Sequence, residues 1–152
     1  MKALIVYDSV EGNTEKIARA MAESLAPNEV KIARPAEASS LDLKSFGLLL
    51  AGSPTFGGRP TQPMQEFLSG IPDDGLKGVD VLAFDTRLKA AWVKVFGYAA
   101  PRIASALQEK GGKLLAPPAG FIVTGRNGPL QDGEEKRAAD WVKQINANKS
   151  QD

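Results

Sequence analysis

Residues 3–7, Ala-Leu-Ile-Val-Tyr, are apolar at every position, and no other feature of the chain limits its fold as strongly. A strand without a polar face must be covered on both sides, as in a parallel sheet flanked by helices. The pattern recurs in Gly47–Ala51, which is wholly apolar, and in Asp80-Val-Leu-Ala-Phe84. Glu29–Ala33 alternates instead, which suits a strand with one wetter face near the sheet edge. Lys113–Val123 reads as the fifth strand, where Pro117-Pro118 implies an edge position or a bulge.

Helical periodicity fills the intervals. Ile17, Met21 and Leu25 form a stripe that stops before Pro27. Gln62–Leu68 is a further helix, and Tyr98–Lys110 is another, carrying Ile103 and Leu107 and ended by Gly111-Gly112. Gln131–Ile145 places Ala138, Trp141, Val142 and Ile145 on one face, with Trp141 as core packing. Arg34–Phe46 carries one helical turn around Leu41–Leu43, and Thr86–Gly97 shows no clear period. Five strands alternating with helices give a three-layer α/β sandwich with right-handed crossovers. It forms one domain over residues 1–147, followed by a frayed tail at 148–152.

Composition narrows the chemistry. The 152 residues include no Cys and no His, which excludes disulfides, Cys/His zinc sites, thiol nucleophiles and imidazole bases. No catalytic side chain and no metal site is expected, and any redox chemistry must use a borrowed group. Nineteen Lys and Arg against eighteen Asp and Glu give a net charge of +1, which argues against a nucleic-acid binder. No apolar run approaches the ~20 residues of a membrane span. The first residues lack a signal-peptide pattern, so a cytoplasmic location is expected.

In an open α/β sheet, ligands bind beyond the carboxyl ends of the strands, so the informative loops follow strands one, three and four. After strand one, Ser9-Val10-Glu11-Gly12-Asn13-Thr14 leads directly into a helix. A helix N-terminus offers free N–H groups and partial positive charge, Ser9 and Thr14 add hydroxyls, and Gly12 permits close backbone approach. The loop has no Lys or Arg and matches neither a P-loop nor a dinucleotide fingerprint. A phosphate site built from neutral dipoles is one reading; the other is that Asn13 or Thr14 only caps the helix.

The stretch Ile5-Val6-Tyr7-Asp8-Ser9-Val10-Glu11-Gly12-Asn13-Thr14-Glu15-Lys16-Ile17-Ala18 resembles the flavodoxin signature, with Val10 a minor departure. Gly52-Ser53-Pro54-Thr55-Phe56-Gly57 is similar to the second flavin loop of that family, and the likeness covers almost the whole chain. It implies a flavodoxin-like five-stranded parallel sheet in the order 2-1-3-4-5, with FMN as cofactor. Ser9, Val10, Glu11, Gly12, Asn13 and Thr14 would hold its phosphate. Pro54, Thr55, Phe56, Gly57 and Gly58 would line the isoalloxazine, with Phe56 against the ring; the other reading of Phe56 is a loop anchor on the core. Gly57-Gly58 also permits the peptide flip by which flavodoxins present a carbonyl to flavin N5–H on one-electron reduction. Asp85, Thr86 and Arg87 fall in the loop after strand four, with Asp85 placed to read the pyrimidine edge. Trp92 is either the second stacking ring or half of a small exposed apolar patch.

The chain departs from the family in charge. Flavodoxins are typically acidic, whereas here Arg59, Arg87 and Lys89 lie in or beside the ring loops, with Asp85 the only carboxylate. Positive groups favour an anionic reduced flavin, so the second one-electron couple is expected to be less negative than the family norm. The usual basic partners suit such a surface poorly.

The function implied is an FMN-dependent electron carrier, a monomer serving redox partner proteins, which needs no catalytic residue. An alternative is a flavodoxin-fold oxidoreductase acting on a quinone, a porphyrinogen or a similar flat apolar substrate, with Ala90–Phe96 as a substrate or membrane-touching lid. A signalling receiver of the same strand order would need an Asp ending strand three and a Lys after strand five. The chain has Gly52-Ser53 and Thr124-Gly125-Arg126 there, which excludes it. If Phe56 and Trp92 flank the flavin, its fluorescence is quenched on binding. Phe56→Ala and Trp92→Ala then each weaken FMN by about 1–3 kcal/mol in a fluorescence titration. An unchanged affinity for the Trp92 variant would move that residue to the patch.

Overall fold

The computed structural model describes residues 2–89 and 97–151. Strands β1 (Lys2–Tyr7), β2 (Glu29–Ala33), β3 (Leu48–Pro54), β4 (Asp80–Leu88), β5 (Lys113–Leu114) and β6 (Ala119–Val123) form one parallel sheet. The order is β2-β1-β3-β4-β5, with β6 also paired to β4. Thus β5 and β6 are two halves of one edge strand. β4 pairs Val81 with Leu114 and resumes at Phe84 with Ala119, so Leu82-Ala83 faces the longer Leu115–Pro118. Pro117 and Pro118 have no N–H to donate to a ladder, and the strand bulges where they stand.

Side chains of the central strands alternate between two cores. Leu4, Val6, Leu49, Ala51, Val81 and Ala83 pack on one face with residues of α3 (Gln62–Gly70) and α4 (Ala99–Glu109), among them Met64, Phe67, Ile103 and Leu107. Ala3, Ile5, Tyr7, Leu48, Leu50, Leu82 and Phe84 pack on the other with Ile17, Met21 and Leu25. Ala138 and Val142 of α5 (Glu134–Gln151) complete that layer beside α1 (Asn13–Ser24). The side chains named in both clusters are at most 5% exposed, so β1, β3 and β4 are dry on both faces. Trp141 packs edge-on against Phe121 at 6.2 Å between centroids, as its stripe requires.

Several boundaries differ from the sequence expectation. The weak region holds α2 at Pro35–Ala38, where Pro35 occupies the first turn, and a 3₁₀ turn at Leu43–Ser45. β3 runs on to Pro54 and β4 to Leu88, because both keep their ladder beyond the apolar residues. α5 starts at Glu134 and continues to Gln151, so residues 148–151 are helical; Lys149 reaches Asp80 at 2.9 Å. Among the described residues, no helix is long and apolar enough to cross a membrane.

Glu134 anchors α5 to β6. Its buried carboxylate accepts the Ile122 N–H at 2.7 Å and two guanidinium N–H groups of Arg137 at 2.6 and 2.8 Å. The Arg137 hydrogen bonds, aided by the Ile122 N–H and the guanidinium charge, hold its pKa below the ordinary 4.5. The stabilisation is therefore complete above pH 4.5 and is lost as pH falls through the lowered value. Glu134→Gln is expected to cost about 1–3 kcal/mol at neutral pH and to flatten the acid limb of the stability profile, as read by urea unfolding across pH.

Candidate functional site

β1 and β3 lie side by side, and the chain leaves their carboxyl ends toward opposite faces. The loops that follow are fixed by a buried carboxylate. Asp8 accepts the Ser9 N–H at 3.0 Å, the Thr61 hydroxyl and Arg34 Nη1 at 3.2 Å. Arg34 also donates to the Ser9 carbonyl at 2.9 Å and lies over the Tyr7 ring. Ser53 Oγ accepts the Thr61 N–H at 3.0 Å, which closes the loop Thr55–Pro60. Within it, Phe56 and Arg59 exchange backbone hydrogen bonds of 2.9 and 3.0 Å around Gly57-Gly58. Both glycines have positive φ, 57° and 79°, which a residue with a Cβ adopts only with strain.

The entry to α1 separates the two readings of Asn13 and Thr14. Gly12 is the N-cap residue, at φ 89°, and no side chain of the cap position bonds the helix. Ser9 Oγ accepts the N–H groups of Gly12 at 3.1 Å and Glu15 at 3.3 Å. The Thr14 hydroxyl is turned away to Thr86, at 2.8 Å, tying α1 to β4. The N–H groups of Asn13 and Thr14 have no hydrogen-bond acceptor among the described residues. Two free donors at a helix N-terminus, with the partial positive charge of the helix behind them, are an arrangement that favours an anion.

These elements enclose a groove of about 470 Å³. Ser9, Val10, Glu11, Asn13 and Thr14 form one wall, Pro54, Thr55, Phe56 and Gly57 another, and Thr86 and Arg87 the floor between them. Gly12 and Gly58 shape the adjoining turns without lining it. Trp92 lies outside the described residues, as does the rest of the expected lid, 90–96. Leu88, Val123 and Arg126 also line the groove and were not among the expected residues. The position of Val123, at the carboxyl end of the last strand, was the available signal. Arg126 follows it in the same loop, which packs on Asn13: a Cβ at Gly128 would sit 2.6 Å from its amide nitrogen.

Asp85 and Arg87 require a correction. They are strand residues, and Asp85 is 0% exposed and absent from the groove wall. Its two oxygens accept Arg87 Nε at 2.7 Å and Nη2 at 2.8 Å, and one also accepts the Ala100 N–H at 2.8 Å. The Arg87 guanidinium lies 3.5 Å from the Tyr98 ring centroid. It occupies space that a Cβ at Gly120 would enter at 2.1 Å. Arg87 is thus not a free positive charge beside the groove, and Asp85 is not open to a ligand edge. A charged residue in a strand interior reads as loop when its partner is two residues away on the same face.

The family model for flavodoxins matches residues 5–141. The chain belongs to the flavodoxin family. Among solved structures, oxidised Flavodoxin 2 from Bacillus cereus superposes with a TM-score of 0.81 at 22% identity, over 97% of this chain and 99% of that one. Flavodoxin 1 from the same organism gives 0.80 at 19%, over 97% and 98%. Rubredoxin oxygen:oxidoreductase from Desulfovibrio gigas gives 0.72 at 22%, where 98% of this chain matches 36% of the larger one. No curated protein matches in sequence. At these identities the structures establish the flavodoxin fold, with the sheet order expected from the sequence.

Arg87→Ala leaves Asp85 buried without its charged partner. The expected cost is about 3 kcal/mol, the lower end for a broken buried pair because Arg87 keeps an exposed edge, measured as a shift in urea midpoint. A change within error would mean that the pair is dispensable.

Proposed function

We propose that this flavodoxin binds FMN in the groove and carries electrons between redox partners. The Asn13 and Thr14 N–H groups support this reading most directly, because they have no acceptor among the described residues and both residues line the groove. Members of the flavodoxin family bind FMN, and the donor set here fits it. The phosphate would meet those two N–H groups, the α1 dipole and the hydroxyl of Ser9. The ring would lie along Pro54–Gly57, where Phe56 offers its face. The groove lies between the loops after β1 and β3, at the switch in strand order, a rule that flavodoxins themselves illustrate. Its volume suits a small cofactor.

When bound, FMN would supply one- and two-electron chemistry, and the protein would supply position and charge. Asp8 holds the phosphate loop and Thr61 together, so the two halves of the groove are pre-set before ligand arrives. Its charge is balanced by Arg34, which limits its repulsion of a phosphate. The redox partners are proteins rather than nucleic acid, and the cytoplasm is the proposed location.

Titration of the purified protein with FMN and with riboflavin, followed by flavin fluorescence, tests the assignment. FMN is expected to bind more tightly than riboflavin. Thr14→Val removes the hydrogen bond to Thr86 that fixes the start of α1, and with it the two free N–H groups, against β4, and is expected to weaken FMN by about 1.5 kcal/mol, roughly tenfold. Equal affinity for riboflavin and FMN would overturn the phosphate site.

A further inference from the structure

The two large apolar side chains most exposed among the described residues, Val10 at 60% and Phe56 at 52%, both stand on the groove wall. Cations lie on this groove and on the one that adjoins it. Arg126 lines the same groove, and Lys89 follows Leu88 on its floor. Arg59 is bonded through its backbone to Phe56 and opens onto a second groove of about 570 Å³ between α3 and α4. Arg102 lines that second groove as well, on the helix whose first N–H, that of Ala99, bonds Thr55. Arg59, Lys89, Arg102 and Arg126 are exposed and form no ion pair among the described residues.

Few carboxylates oppose them. Glu11 is exposed on the flavin-groove wall, and Glu109 lines the second groove with Arg59 and Arg102. Asp8 and Asp85 are buried and paired with Arg34 and Arg87. The chain as a whole is almost neutral, at +1, so this is a local concentration of positive charge. An apolar centre inside a charged rim is the anatomy of a transient protein interface, and rim charge sets partner choice and encounter rate.

We infer that the rim formed by Arg59, Lys89, Arg102 and Arg126 around Phe56 and Val10 docks an acidic redox protein. The inference rests on the flavin reading for its purpose, since it brings a partner to the groove mouth, but not for its geometry. A nucleic acid suits this surface less well. The cations are spread over two grooves beside an apolar centre instead of tracking a phosphate backbone, and Glu11 shares the first groove with Arg126.

The test is an amide chemical-shift titration of the isotope-labelled protein at low and high salt. The probes are an acidic plant-type [2Fe–2S] ferredoxin, a basic c-type cytochrome and a short single-stranded DNA. The ferredoxin is expected to bind at low salt, to shift amides around Phe56, Arg59, Arg102 and Arg126, and to dissociate as salt rises. The double variant Arg59→Glu/Arg102→Glu is expected to weaken it about tenfold or more, and Lys143→Glu, on α5, to leave it unchanged. Preference for the cytochrome, tighter binding of the DNA at the rim, no ferredoxin binding at low salt, or an unaffected double variant would each overturn the inference. FMN is titrated into the same samples. Ferredoxin binding without FMN binding would leave the rim standing and remove the proposed function, and the reverse result would do the opposite.

Discussion

Burial of both faces of β1, β3 and β4 is the constraint from which the rest of this molecule follows. Side chains up and down each central strand are committed to one of two apolar cores, so the sheet interior has no room for a ligand. Polar chemistry is displaced to the carboxyl ends, where successive chain segments part toward opposite helical layers. The groove is the gap this parting leaves between the loops after β1 and β3. Its donors are backbone N–H groups that a helix start cannot satisfy internally.

Two buried carboxylates finish the ends of this sheet. Asp8 binds the first loop to Thr61 and Arg34, and Asp85 binds the end of β4 to Arg87 and the start of α4. Each is an acid placed close to a site proposed for an anionic ligand, and each is neutralised by an arginine from a neighbouring position. Local charge at the groove therefore cannot be counted from the residues alone. After pairing, the positive side chains left there among the described residues are Arg59, Lys89 and Arg126, a different set from the one that loop membership suggests.

The fold was legible in the sequence because the signals were collective. Five-residue apolar runs for β1 and β3, the Ile17–Met21–Leu25 stripe and Pro117-Pro118 each point to one structure. Most of the groove was legible too, since Ser9–Thr14 and Pro54–Gly57 lie at or just beyond the carboxyl ends of β1 and β3. What stayed hidden depends on contacts distant in sequence or on masked polarity. Arg126 reaches the groove through a loop packed on Asn13, more than a hundred residues away in the chain. Asp85 and Arg87 look like a polar loop until their mutual pairing is seen. The side chain that accepts N–H groups at the start of α1 is Ser9, not Asn13 or Thr14, because its hydroxyl folds back across the turn made by the N-cap Gly12.

The bulge at Leu115–Pro118 bears on how copies of this protein behave toward one another. A sheet edge carrying a regular row of free donors and acceptors is a template on which another strand can grow. Here the outer strand is cut into segments of two and five residues, offset by the bulge and interrupted by two proline nitrogens that have no N–H to donate. An incoming strand would lose its register within a few residues. With the Ile122 N–H and C=O already bonded to Glu134 and Gln131, the edge farthest from β2 offers an incoming strand few free groups in register.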